Sequence, residues 1–430
     1  MRDIAFALVL SALVLVSLRR PWIGVMAWVW VSLMTPQLMM YGFMSSQPVS
    51  MVTGVATLIG IVFTKDPRRM PFALPIVLLV CFSLWMVVTC FFSLVPTDEN
   101  WAQLDKVLKI NFFTLVTIFV IHTRKQVDVL IAVVALSVAY FGIKGGIFTI
   151  TTGGGFRVRG EGGFIAGNNE IGLGLIMTIP LMYYLLLITS NKWIKRALWA
   201  ALGLTVVAAL GTQSRGALVG VAGMTAAFVL RSPRPGRLIL PILIIGIFVL
   251  VFMPESWWAR MESIGDYEKD ESAMGRLNAW ILAFNVAKDN FFGGGFTLET
   301  PDIFHRYAPN PEFIAVAHSI YFQVLGQHGF VGLALYLVFW ALVFSNCRWL
   351  AKNARDASDL NLARMIEISL IGFATGGAFL NLAYFDGPYY LMAALMIVRY
   401  KLYSDQSTAS QPSQAGSRSS AGDGKTRVTS

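Results

Sequence analysis

The chain has 430 residues, of which 56% are hydrophobic and only 13% charged, and it carries a formal net charge of +10. A soluble globular chain is about half apolar and a quarter charged, so this balance excludes an ordinary cytoplasmic enzyme, a disordered protein and a secreted disulfide scaffold. It fits an all-α, polytopic chain solvated largely by lipid, with roughly 20 apolar residues for each crossing of a hydrocarbon core.

About thirteen apolar runs follow one another: near Ile4–Leu18, Trp22–Met34, Val49–Phe63, Phe72–Leu94, Val107–Ile121, Val127–Phe148, Ile171–Thr189, Ala197–Leu210, Ala217–Leu230, Leu238–Met253, Ser319–Phe344, Met365–Tyr384 and Tyr389–Tyr400. The first two are short and read as one broken span or as two, which gives about 12 transmembrane helices or 13. Arg2 ahead of the first run imitates a secretion signal. Asp3 beside it, the missing small-x-small cleavage site and the closing Arg19-Arg20 pair make a retained helix the expectation. Cys81, Cys90 and Cys347 lie in or beside apolar runs and read as small buried hydrophobes.

Short loops rich in Lys and Arg mark the cytoplasmic side of a membrane chain. Here these are Lys65 with Arg68 and Arg69, Arg124-Lys125, Lys192 with Lys195 and Arg196, Arg231 with Arg234 and Arg237, and the Arg348–Arg364 loop. The alternate loops then face the far side, which is the periplasm in a bacterium: Val95–Leu104, Thr151–Asn169, the turn Gly211–Arg215 and the long Pro254–Ala317 segment. The C-terminus is cytoplasmic by the same count. Residues 1–403 thus form a polytopic domain that includes the periplasmic loop 254–317. The tail 404–430, rich in Ser, Gln, Gly and Ala, reads as disordered.

The long loop has internal order. Glu255 to Arg260, with Trp257 and Trp258, reads as an interfacial helix start. An acidic run, Asp266 to Glu271, follows. Ser272 is placed to cap a helix whose apolar face is Leu277, Trp280, Ile281 and Phe284, and which stops at Gly293-Gly294-Gly295. That face is expected to pack over the ends of the membrane helices.

Charge near the outer membrane boundary is costly and therefore informative. Arg215, in Gly211-Thr212-Gln213-Ser214-Arg215-Gly216, reads either as a snorkelling arginine or as an anion site, since guanidinium presents a planar fork of donors to phosphate. Arg276 opens the loop helix, where a cation opposes the helix dipole, and reads as a surface ion pair or as a second phosphate clamp. Arg157 and Arg159, in the glycine-rich Gly153–Gly163 loop, are secondary candidates. Of the four histidines, His122 reads as structural, His305 and His328 are second-rank, and His318 stands at the mouth of a span, on the side of both arginines. Imidazole suits general-base work near neutral pH. The acidic run lacks a clear Asp-x-Asp and reads as solvated. No Walker A, dinucleotide, zincin or nucleophile-elbow pattern is present, and nothing accompanies the basic balance to suggest nucleic acid. Arginines for a phosphate beside one histidine suit transfer of a group from a lipid diphosphate.

These residues resemble the O-antigen ligase and polymerase superfamily of bacterial envelopes. The resemblance rests on Ser214-Arg215-Gly216, then Gly275-Arg276 with Trp280, then Gly293-Gly294-Gly295-Phe296, then His318 with Tyr321, Gly326, Gly329 and Gly332, from about Leu198 to Trp340. Met1-Arg2-Asp3-Ile4 and Arg19-Arg20-Pro21-Trp22-Ile23-Gly24 also resemble the exosortase-associated O-glycosylation ligase branch. The resemblance implies a twelve-span fold similar to GT-C glycosyltransferases, in a bacterial inner membrane, with its active site facing the periplasm. The implied reaction is inverting and needs no metal or cofactor. It moves a glycan from undecaprenyl diphosphate to a hydroxyl of lipid A–core, completing lipopolysaccharide. Arg215 and Arg276 match the diphosphate-binding arginines and His318 the catalytic histidine, with Gln213 and Tyr321 as secondary positions. Two alternatives keep the same donor, a protein O-oligosaccharyltransferase and an O-antigen polymerase. A transporter of lipid-linked sugars is a third, disfavoured by the scarcity of charge expected inside the spans.

Overall fold

The structure, a computed structural model of the chain, describes residues 1–66, 70–231 and 271–403, with single positions between 235 and 258. The Arg68-Arg69 and Arg234 parts of the basic loops, most of the Leu238–Met253 run, Arg260, the acidic residues 266–270 and the tail 404–430 lie outside the described residues. No strand occurs among the described residues.

The first helices are α1 (Arg2–Arg19), α2 (Pro21–Met34), α3 (Val49–Phe63), α4 (Leu74–Phe91), α5 (Asp98–Val120), α6 (Arg124–Thr151), α7 (Asn168–Ile188), α8 (Lys192–Gly211) and α9 (Arg215–Arg231). Two helices of the long loop follow, α10 (Glu271–Asp289) and α11 (Pro301–Tyr307). The last are α12 (Ile320–Lys352), α13 (Ala357–Gly377) and α14 (Asp386–Met396), which runs on as a π-helical turn, Ile397–Leu402. Five of these, α4, α6, α7, α8 and α12, are long and apolar enough to cross a membrane, and α2 and α3 are shorter apolar helices.

The first two apolar runs are separate antiparallel helices. Asp3, at the start of α1, accepts hydrogen bonds from the amides of Gly42 and Met44, beyond the end of α2. Ser17, near the other end of α1, lies against Gly24 at the start of α2 and against Gly60 near the end of α3. Helices then alternate between two ends. At the basic end Arg124 holds Tyr184, Ser358 and Asp359 together, and the Lys401 amine donates to the carbonyls of Ile118, Phe119 and Ile121. At the opposite, loop-rich end the Leu94 amide donates to Gly294 and the Gln213 side chain to Gly154.

Small residues set the closest helix contacts, as expected where lipid supplies no hydrophobic drive between helices. Gly216 and Gly220 of α9 face Gly372 and Gly376 of α13. A Cβ on Gly220 would lie 3.1 Å from the Gly372 carbonyl oxygen, and one on Gly376 would lie 3.2 Å from that of Gly216. This contact positions the N-terminus of α9, and Arg215 with it.

Several expectations are corrected. Cys81 is exposed on α4, because in lipid an outward face is as apolar as an inward one; Cys90 and Cys347 are buried. The Met365–Tyr384 run is helical only to Gly377. The helices also hold buried carboxylates: Glu367, ion-paired with Arg231 and Arg348, and Asp386, which accepts from Ser32.

Gly376→Leu should clash with Leu173 of α7 and with the Gly216 carbonyl of α9, and force α13 away from both helices. Overpacking of this kind costs about 1–3 kcal/mol. A clear drop in the thermal midpoint of the purified protein is expected, and an unchanged midpoint would refute the glycine contact.

Candidate active site

The loop-rich end is organised around an interruption in α12. Gly329 has φ 68° and ψ −172°, which breaks the helix. Its φ is left-handed, and a Cβ there would also sit 2.5 Å from the Phe291 carbonyl oxygen, so glycine is needed. The carbonyls at the break find other donors. The Gly294 amide donates to Gly326 at 2.9 Å, the Gly295 amide to Gln327 at 2.9 Å, and the Trp85 indole to His328 at 2.8 Å. The glycine run is therefore an extended splice docked on a broken helix. The helix before it ends earlier than expected, at Asp289.

Helix α10 already includes Ser272, so Ser272 is not its cap, and Arg276 falls in its second turn. Its packed face also differs from expectation. Leu277, Ile281 and Phe284 are 39%, 45% and 47% exposed, while Ala279, Leu282, Ala283 and Val286 are buried. Small alanines allow close approach to α12, where Gly326 meets Ala283. Trp280 alone of the predicted face packs inward, stacked on Phe322 with ring centroids 4.9 Å apart.

The stretch 308–319 lies along α10 and delivers His318. Asn278 donates to the carbonyls of Asn310 and Phe313 and accepts from the Asn310 amide. The Trp280 indole donates to the Ala317 carbonyl at 2.6 Å. Gly275 makes room for the Phe313 ring, which would lie 2.5 Å from a Cβ. The Gly-Arg…Trp pattern is thus a clamp that holds His318 near Arg276.

His318 has φ 43°, an uncommon conformation for a residue with a side chain. Its Nδ1 is buried and makes no hydrogen bond among the described residues. Burial, and after it the charge of Arg276, push the imidazole down from 6.5 to about 4. The ring is therefore neutral near pH 7 and able to accept a proton.

Arg215 is half-buried at the first position of α9, and Ser214 caps the helix by accepting from the Ala217 amide. Gln213 has φ 53°, and its amide donates to the Gly154 carbonyl. Phe379 links this turn to α10: it lies 3.3 Å from where a Gly216 Cβ would be, and its ring is 6.2 Å from that of Trp280. Tyr321 donates to the Ala374 carbonyl, tying α12 to α13. Arg157 and Arg159 are exposed on their loop, which is anchored where the Val158 amide donates to Gly211. His328 is fully buried against Thr89, His305 is exposed, and His122 meets Lys401 at the basic end. Trp257 is buried against Leu210.

Sequence reading missed Asn278 and Phe379. A buried asparagine inside an apolar helix was the available signal for the first; nothing local marks the second.

Residues 200–337 match the family described as O-antigen ligase. The match covers about a third of the chain and supports a place in the O-antigen ligase superfamily. It carries Arg215, Arg276 and His318, whereas Phe379 and Tyr321's partner on α13 lie beyond it. Residues 1–190 match a family of unknown function, DUF5935, which leaves the exosortase-associated branch without support of its own. No curated protein matches the chain.

With four histidines in the chain, NMR titration can resolve each ring. His318 should stay neutral until about pH 4, and Arg276→Gln should move its midpoint up toward the ordinary value. A wild-type midpoint near 6.5, unmoved by Arg276→Gln, would contradict the burial and the proximity together.

Proposed function

We propose that this chain is an inverting, metal-independent glycosyltransferase of the bacterial inner membrane. It moves a glycan from undecaprenyl diphosphate to a hydroxyl of lipid A–core on the periplasmic side. The observation that carries this reading is the half-buried imidazole of His318, whose Nδ1 is enclosed and which the α10 clamp holds close enough to Arg276 to feel its charge. The O-antigen ligase segment supports the class of reaction, and the basic residues gathered at the other end support a periplasmic site and a cytoplasmic C-terminus.

In this reaction the acceptor O–H gives its proton to His318, and the oxygen bonds to the anomeric carbon. The bond from that carbon to the diphosphate oxygen breaks, and its electron pair leaves with the diphosphate. Arg215 and Arg276 balance the charge that develops there. Two helix N-termini, those of α9 and α12, lie beside these residues and favour an anion. A diphosphate is already a good leaving group, so charge balance and deprotonation are the work left to the protein. A protein hydroxyl or another repeat unit as acceptor would use the same chemistry.

Transfer is measured with polyprenyl-diphosphate-linked glycan and lipid A–core in EDTA. His318→Ala should lower turnover by at least about 100-fold while donor binding persists. Arg215→Ala and Arg276→Ala should each weaken donor binding or turnover by about 10- to 100-fold, the worth of one charge-assisted hydrogen bond. Wild-type turnover by any of the three would remove that residue from the mechanism. Glycosylated protein or a ladder of repeats in place of glycosylated lipid A–core would reassign the acceptor.

A further inference from the structure

Helix α10 belongs to the long loop, yet its outward face is not that of a helix in water. Between Ala273 and Ala287 the exposed side chains are Met274, Leu277, Ile281 and Phe284. Their spacing places them in one stripe along the helix. No exposed polar side chain interrupts that stretch, and Lys288 and Asp289, at the end of the helix, are the first exposed charges. Its asparagines are spent on the protein, Asn278 on the carbonyls of Asn310 and Phe313 and Asn285 on that of Tyr307. A surface helix of a soluble domain carries polar residues on its outer face. A contiguous apolar patch marks a partner or a membrane.

The stripe does not end on α10. Phe284 meets Phe330 of α12 edge to face, with ring centroids 5.9 Å apart. Phe330 is itself exposed, as are Leu337 and Val338 further along α12. That helix is long and apolar enough to cross a membrane, so lipid covers its exposed apolar side. One apolar surface therefore runs from the lipid-facing side of a span onto the loop helix. This continuity selects the occupant: the hydrocarbon that covers α12 continues over α10.

We propose that α10 lies in the membrane interface, with Met274, Leu277, Ile281 and Phe284 seated among the acyl chains of bilayer lipids. The helix does not span; it rests along the boundary with its apolar stripe toward the chains. A corollary rests on the glycosyltransferase reading above. Arg276, the neighbour of Leu277, is then held at headgroup level, where a lipid diphosphate reaches it without leaving its leaflet.

Full-length Cys81→Ala protein, whose two other cysteines are buried, receives one further cysteine and a spin label in each sample. The sites are Leu277→Cys, Ile281→Cys and Phe284→Cys, with Leu337→Cys as the lipid-facing control. Asp302→Cys, at an exposed position of α11, is the water-facing control. In phosphatidylethanolamine–phosphatidylglycerol vesicles, access of oxygen is compared with access of a water-soluble nickel chelate. At the three α10 sites the oxygen-to-nickel ratio should match that at Leu337→Cys and exceed that at Asp302→Cys by at least about fivefold. A ratio equal to that at Asp302→Cys would overturn the proposal. So would exclusion of both reagents, which would mean that protein, from this chain or from a second copy, covers the stripe. Unaltered wild type in vesicles that contain a phospholipid with a photoreactive acyl chain supplies the second measurement. Adducts within residues 274–284 are expected, and their absence while the Leu337 region is labelled would also refute the seat. Neither readout depends on turnover, so the failure of this proposal and that of the glycosyltransferase reading are separately visible.

Discussion

A helix interrupted inside an apolar protein must find a partner for each carbonyl it frees, because no water is there to take one and each failure costs several kcal/mol. In α12 the break at Gly329 meets this demand with two amides from the glycine run and one indole, that of Trp85. Much else follows from those three bonds. They dock the extended segment 293–296 against α12. That segment follows α10 closely and holds its C-terminal end in place. Through Asn278 and Trp280, α10 in turn fixes the stretch that ends in His318. The glycines shape the candidate site without forming part of it.

Strain gathers at the same place. Among the described residues, three that are not glycine have a positive φ: Thr35, Gln213 and His318. Two of the three stand two residues ahead of the helices α9 and α12 at the candidate site. Such conformations cost of order 1–3 kcal/mol and persist only where surrounding contacts over-determine them. Those contacts are present here. The Gln213 side chain is tied to Gly154, and the residue before His318 is tied to Trp280. Both turns present a candidate side chain, Arg215 or His318, at or beside a helix N-terminus.

Much of this was legible in the sequence. Apolar run length located the helices, basic loops sorted their ends, and residue type with spacing singled out Arg215, Arg276 and His318 as candidates. What was not legible has two physical causes. When the solvent is lipid, an apolar face no longer reports the inside, and Cys81 was misplaced for that reason. In α10, a helix of the long loop, the larger apolar residues Leu277, Ile281 and Phe284 stay outward, because alanines allow the closer approach to Gly326 of α12.

The arrangement of Arg276 beside His318 looks self-defeating for a base, because a neighbouring cation weakens proton affinity. In the proposed reaction the contradiction resolves through the donor. A diphosphate against Arg276 cancels much of the charge that the imidazole feels. Proton affinity at His318 then rises when the donor is seated, and by linkage a protonated ring holds the diphosphate more tightly than a neutral one. On this proposal the donor-free protein keeps its histidine neutral and ready to accept. The complex makes the same ring a stronger base at the moment an acceptor hydroxyl must be deprotonated, and the imidazolium that results stays beside the departing anion. The arginine therefore acts twice, on the leaving group directly and on the base through the charge of that leaving group. This coupling requires the two side chains to sit close together, and the Asn278 and Trp280 clamp secures that closeness.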